Sequence, residues 1–270
     1  MDIARHKFYT KQAAEACVGH KDGDEIRKEI TIGSYANDLC EFTSLYTAVI
    51  RKQAYPQAED LSLFKTVLDS AGDVIDDILD RLKPAIYRSH FGNLASIHSM
   101  AKKKSEKALA TQKEIALWIE SLNLLALGRT IDPSMEIKKD SLPVSGLLSA
   151  HNDHTAYWQL FGTDSREKIR YRSVGMICHL IQDSFTKSHC LREIYGEKKI
   201  VKFYEYSSQD SEKHRDGDYV LPELEGDMSR QCTLCIDSLL CKKEAYNCDQ
   251  LLQLSGNAQS SDGGVFFVID

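Results

Sequence analysis

The sequence predicts an all-α protein, a single compact multi-helix domain. Three observations carry this. Apolar residues recur at steps of three and four along most of the chain, the spacing of one helix face. Only 5 prolines occur in 270 residues, and they punctuate these periodic runs rather than interrupt them. Ile200 to Tyr206 is the one stretch that reads as a strand. A chain with 42% hydrophobic and 27% charged residues is neither disordered nor collagen-like, and its length suffices to bury a sizeable core.

The elements follow in order. Phe64, Leu68, Ala71, Ile75, Ile78 and Leu82 form a helical stripe bounded by Pro56 and Pro84. A second helix is expected from Ala95 to Leu127, with Ile115, Ile119, Leu122 and Ala126 on its apolar face and Gly128 ending it. The basic run Lys102-Lys103-Lys104 then reads as a solvated face of that helix. A third helix begins near Asp164, with Glu167 three residues on as in a capping box. Its stripe is Tyr171, Val174, Cys178, Ile181 and Phe185. A last helix covers Met228 to Leu254. The domain thus spans residues 1–254, and residues 255–270 form a C-terminal tail whose VFFVID end is apolar.

Composition excludes some functions. The net charge of -6 gives no basic face for duplex nucleic acid. Eight cysteines in 270 residues are too sparse for a disulfide scaffold. No apolar run reaches the roughly 18 residues of a transmembrane helix. Met1 to His20 holds no apolar stretch suited to a Sec-type signal. The expectation is a cytoplasmic protein, or one secreted or translocated by a signal-less route, for example into another cell through a dedicated secretion system.

The chemistry concentrates in CHLIQDSFTKSH, Cys178 to His189. It places His179, Asp183 and His189 in the pattern H-x3-D-x5-H. Residues four apart share a helix face, so His179 and Asp183 point the same way. His189 lies past the helix end, where a turn can return its ring to them, and Gly175 leaves room one turn before His179. His214 and Asp218 repeat the four-residue spacing. A hydrogen-bonded His–Asp pair steadying a helix is the alternative to a metal site. His98 reads as a histidine of the second helix that either packs in the core or supports a ligand, and His151 and His154 as loop residues. Cys232, Cys235, Cys241 and Cys248 lack the two well-separated close pairs of a zinc ribbon and read as small apolar residues of the last helix.

HLIQDSFTKSH resembles the zinc-dependent phospholipase C family, which shares its fold with fungal zinc-dependent single-strand nucleases. The chain fills the family's order of positions: His6 just before a helix containing Thr10, Asp38 in the turn-like IGSYANDL, His90 in SHFGN, His179, Asp183, His189, then His214 and Asp218. Arg192 after SHC, and HFGNLASIHSMA followed by the Trp118 helix, are similar to the bacterial phosphatidylcholine-hydrolysing branch. Two positions depart: Asn93 stands where that branch has Asp, and the chain begins Met-Asp where the mature family chain begins with a metal-binding Trp.

The resemblance implies an all-α fold of the phospholipase C and zinc nuclease type, with two or three zinc ions on His6, Asp38, His90, His179, Asp183, His189, His214 and Asp218. It implies that Asp38 also orients the attacking water. The expected reaction is hydrolysis of a glycerophospholipid, phosphatidylcholine first, at a membrane surface, to diacylglycerol and a phosphorylated head group. The alternatives are a single-strand nuclease or other phosphodiesterase on the same fold, and a metal-poor, non-catalytic binding protein. Tyr157, Trp158 and Phe161 are either core or a platform for a base or a lipid surface.

Overall fold

The structure, a computed structural model, describes residues 3–19, 23–45, 94–151, 153–205 and 217–261, with the backbone alone over 36–45. The stripe from Phe64 to Leu82, and His90, His214 and the VFFVID end, lie outside the described residues. Among the described residues the chain is mainly helical. The α-helices are α1 (Ile3–Cys17), α2 (Gly23–Leu45), α3 (Ala108–Ala126), α4 (Ser145–Ala150), α5 (Tyr157–Phe161), α6 (Arg166–Phe185) and α7 (Pro222–Ile236). Strands β1 (Cys190–Arg192) and β2 (Ile200–Phe203) pair antiparallel, with Cys190 opposite Phe203. No described helix is long and apolar enough to cross a membrane.

α6 is the element around which the others pack. Ser165 caps it, its side chain accepting from the Lys168 N–H, one residue later than the Asp164 cap expected. From Ser173 to Phe185 every residue is buried, so the expected one-sided stripe is instead a helix enclosed all round. One apolar cluster running from Ala13 to Leu252 encloses it, with Ile30 from α2, Ile115, Trp118 and Leu122 from α3, and Met228, Cys232 and Cys235 from α7.

The contact of α6 with α2 is set by two glycines. A Cβ on Gly175 would stand 2.0 Å from the Ile30 carbonyl oxygen, and one on Gly33 would stand 2.2 Å from the Arg172 carbonyl oxygen. Both distances are far inside van der Waals contact, so the helices cross backbone against backbone and neither position admits a side chain. Gly175 therefore makes room for α2 rather than beside His179. The IGSYANDL segment is the middle of α2, not a turn. Beside the crossing, the Arg172 Nε donates to Glu29 at 2.6 Å and Lys168 Nζ lies 3.1 Å from the same carboxylate. Arg172 also donates to the Phe161 carbonyl at 2.7 Å, tying in α5.

Two expected helices are shorter. The Ala95–Leu127 helix is a 3₁₀ turn over Ala95–His98, a loop, and then α3. Ser99 takes a left-handed φ of 52°, its hydroxyl donates to the Leu180 carbonyl at 2.8 Å, and the Ala101 N–H donates to the Tyr204 carbonyl at 2.9 Å. The chain is thus drawn across α6. Lys102 accordingly lies in the loop, paired with Glu106 and Glu114. The Met228–Leu254 helix begins earlier, at Pro222, and ends in a wide turn at Lys243, whose φ is 58°. Beyond it the Asn123 side chain holds the Tyr246 backbone through both N–H and carbonyl, so Leu251 and Leu252 reach the core from a loop. Residues 255–261 run beside β2, where the Ser255 N–H donates to Ile200 and the Gln259 N–H to Val201.

Two outcomes test this packing. Gly175→Ala is expected to cost about 3 kcal/mol, read as a lowered urea midpoint. Burial alone would raise the Glu29 carboxyl, but Arg172 and Lys168 outweigh it and hold it below 4.5. Its contribution is therefore full above that pH and is lost as the pH falls through the depressed folded value. Glu29→Gln should cost about 2 kcal/mol at pH 7, with the difference from wild type shrinking below pH 4.5.

Candidate metal centre

Four histidines and two aspartates converge at the C-terminal half of α6. His6, which lies inside α1 rather than before it, stacks its ring on His179 with centroids 4.3 Å apart. His6 Nε2 is 3.3 Å from Asp183 Oδ1. His179 Nε2 is 2.9 Å from Asp183 Oδ2. His189 follows the end of α6 through a turn closed by its N–H on the Thr186 carbonyl, and its Nε2 is 3.5 Å from Asp218 Oδ1. Asp218 is brought there because the 186–188 turn bonds to 217–220: Lys187 N–H to Tyr219, Ser188 N–H to Gly217. The Ser188 hydroxyl donates to Asp218 Oδ1 at 2.7 Å, and Arg5 donates to the Asp218 carbonyl at 2.6 Å.

His98 joins this group, in the second of the two places the sequence allowed it, beside a ligand rather than in the apolar core. Its Nδ1 is 2.8 Å from His179 Nε2 and 3.2 Å from Asp183 Oδ2. The missed signal is the run from Lys102 to Lys107, which holds no apolar residue and so cannot carry a helical stripe through His98 into α3. Of the other expected ligands, Asp38 lies on α2 in the stretch described by backbone alone, and His90 and His214 lie outside the described residues. His154 is a surface residue beside Glu136 and Lys138.

The tautomers decide the chemistry. A carbonyl only accepts, so a ring nitrogen facing one must donate. His179 Nδ1 donates to the Ser34 carbonyl at 2.9 Å, a carbonyl delivered by the glycine crossing. His189 Nδ1 donates to the His98 carbonyl at 2.6 Å. Gln182 gives its amide N–H to Thr10 Oγ1 at 2.8 Å, so its Oε1 accepts from His6 Nδ1 at 2.5 Å. In each of the three rings Nε2 is thereby the acceptor nitrogen, and in each it faces a carboxylate oxygen. Two acceptors repel unless a proton or a cation lies between them.

The electrostatics point the same way. Burial, followed by the neighbouring His179, pulls His6 below its ordinary value and favours its neutral ring. Burial would push the Asp183 carboxyl up, yet the positive charge of His179, His189 and His6 holds it well below the usual carboxylate range. An ionised carboxylate at 0% exposure needs positive charge beside it, supplied by protonated rings or, with the rings neutral, by a bound cation, since an uncompensated buried carboxylate costs several kcal/mol. His6, His179 and Asp183 offer three ligand atoms within 4.8 Å of one another. Imidazole nitrogen and carboxylate oxygen, with the far ring nitrogen held by a carbonyl, are the donor set and support of zinc sites. The residues present therefore fit a divalent metal.

Cys178, Cys232 and Cys235 are buried free thiols in the seam of α6 and α7, as expected of small core residues, whereas Cys241 is exposed and Cys248 half-buried in the loop beyond the helix. Tyr157 and Phe161 are core as well, whereas Trp158 is 37% exposed. Arg192 is buried, donating to Ser184 and to the Leu251 carbonyl, and serves as a brace below the site.

Ligation requires neutral imidazole and ionised carboxylate, so bound metal is expected to be held at pH 7 and released as the pH falls below about 5. Asp183→Asn should lose that metal at pH 7 while keeping its helical circular dichroism; full metal retention would remove Asp183 from the centre. Comparison of the chain with protein-family models, curated proteins and solved structures finds no match, so the functional reading rests on this geometry and on the residues quoted above.

Proposed function

We propose that the protein is a zinc-dependent phosphodiester hydrolase acting as a phospholipase C on glycerophospholipids, phosphatidylcholine first. The observation that carries this is the set of three imidazoles whose Nδ1–H is fixed by a carbonyl and whose Nε2 is turned to Asp183 or Asp218. The order of these residues along the chain supports the family resemblance, and a two- or three-ion reading follows from it.

His179 with one oxygen of Asp183 would hold one ion, His6 with the other oxygen would contribute to a second, and His189 and Asp218 to a further one. Zinc bound there supplies positive charge to phosphate oxygens and acidifies water. The chain's own residues do the rest. Asp183 turns one oxygen to His6 and the other to His179, so it can serve two ions at once. Ser34, Gln182 and the His98 carbonyl keep the rings in the ligating tautomer. Asp218, at 17% side-chain exposure the least buried of the set, marks the side from which a phosphodiester enters. Asp38 is the proposed orienting base. Water adds its oxygen to phosphorus and its proton leaves with the glycerol oxygen, giving diacylglycerol and the phosphorylated head group. Of the three aromatic residues considered for a stacking platform, Tyr157 and Phe161 are buried in the core and only Trp158 is exposed.

The test is head-group release from phosphatidylcholine vesicles by the zinc-loaded chain, beside digestion of single-stranded DNA. Phosphocholine release that Asp183→Asn reduces to the buffer level is the expected result. Digestion of DNA alone would move the substrate to nucleic acid, and neither activity would overturn the hydrolase reading.

A further inference from the structure

His98 belongs to neither the H-x3-D-x5-H motif nor the set that the resemblance implies, yet it contributes twice to the centre. Its carbonyl fixes the tautomer of His189. Its ring stands on the other side, with Nδ1 facing His179 Nε2 and Asp183 Oδ2. This dual placement depends on the break after the 3₁₀ turn. The left-handed Ser99, bonded to the Leu180 carbonyl, stops the chain from continuing as a helix and presses His98 against α6.

The three donor atoms form a closed triangle. His98 Nδ1 to His179 Nε2 is 2.8 Å, His179 Nε2 to Asp183 Oδ2 is 2.9 Å, and Asp183 Oδ2 to His98 Nδ1 is 3.2 Å. A zinc ion with bonds of about 2.0–2.1 Å has tetrahedral edges of about 3.3 Å. The triangle is therefore one face of such a tetrahedron, contracted by a few tenths of an ångström on two edges. His6 stands on the opposite carboxylate oxygen, Oδ1, so it does not compete for this face. We propose that His98 Nδ1 is a metal ligand, completing with His179 Nε2 and Asp183 Oδ2 a three-residue ligand face.

The ring of His98 would ligate through Nδ1, whereas His6, His179 and His189 present Nε2. The proposal rests on the metal reading above, and its test separates the two.

One equivalent of cobalt(II) chloride added to the metal-free full chain reports the donor set through its visible d–d bands. The wild type is expected to give bands of tetrahedral intensity. His98→Ala keeps the carbonyl that His189 needs and removes only the ring. It should bind the first cobalt at least ~10-fold more weakly and with altered bands. His98→Asp places an oxygen at the position of Nδ1. It should retain the ion with bands shifted by the exchange of nitrogen for oxygen, which keeps the test decisive if the alanine variant does not fold. Wild-type bands and affinity in either variant would overturn the proposal while leaving the metal centre intact. A wild type that takes up no cobalt would overturn the metal reading beneath it.

Discussion

The closest constraint in the molecule is the backbone contact between α2 and α6 at Gly33 and Gly175. Helices separated by side chains pack 8–10 Å apart; here they must come nearer, because the Ser34 carbonyl has to reach the ring of His179. That single hydrogen bond selects the tautomer of the histidine next to Asp183. It also explains why a helix buried on all sides carries His179, Gln182, Asp183 and Ser184 in succession. Each has a designated partner from a neighbouring element: Ser34 on α2, His6 and Thr10 on α1, Arg192 on β1. Buried polar groups so arranged rigidify a core when all are satisfied and weaken it when one is not.

The glutamate beside the crossing belongs to the same design. Glu29, Arg172 and Lys168 hold α2 and α6 from the solvent side, while the glycines fix their separation from within. At the other end of α6, Arg192 spans the helix terminus, β1 and the 251 loop. The site lies between these two braces. Its one less-buried end, at His189 and Asp218, is held by the pairing of the 186–188 turn with 217–220.

How far the sequence foretold this depends on whether a feature is local. His179, Asp183 and His189 were legible because helical spacing alone puts the first two on one face and a short turn returns the third. The end of α3 at Gly128 was legible too, and that glycine has a φ of 94°. His6 could be placed only through the order of a family motif, and Asp218 through that order and its four-residue spacing from His214, since partners that lie 176 and 30 residues away, Gln182 and Ser188, secure them. His98 was legible only as core or ligand support, because apolar periodicity was extended across Ser99 and the break there is tertiary: it depends on Leu180 and Tyr204. Gly175 was noticed for the right position and the wrong neighbour, because no spacing rule reveals which backbone will approach a glycine. The last helix was drawn too long for a related reason, since Asn123 on α3 folds the chain back after Lys243.

The central claim is that positive charge from a bound divalent metal reconciles neutral histidines with ionised aspartates in a buried cluster. The most direct test is the zinc-to-protein ratio of the purified full chain, measured by elemental mass spectrometry before and after zinc is added back and excess removed. The account predicts two or three zinc per chain. A chain that retains none after zinc is restored would mean that protons balance the cluster, and would return His179 and Asp183 to the role of a hydrogen-bonded pair steadying α6.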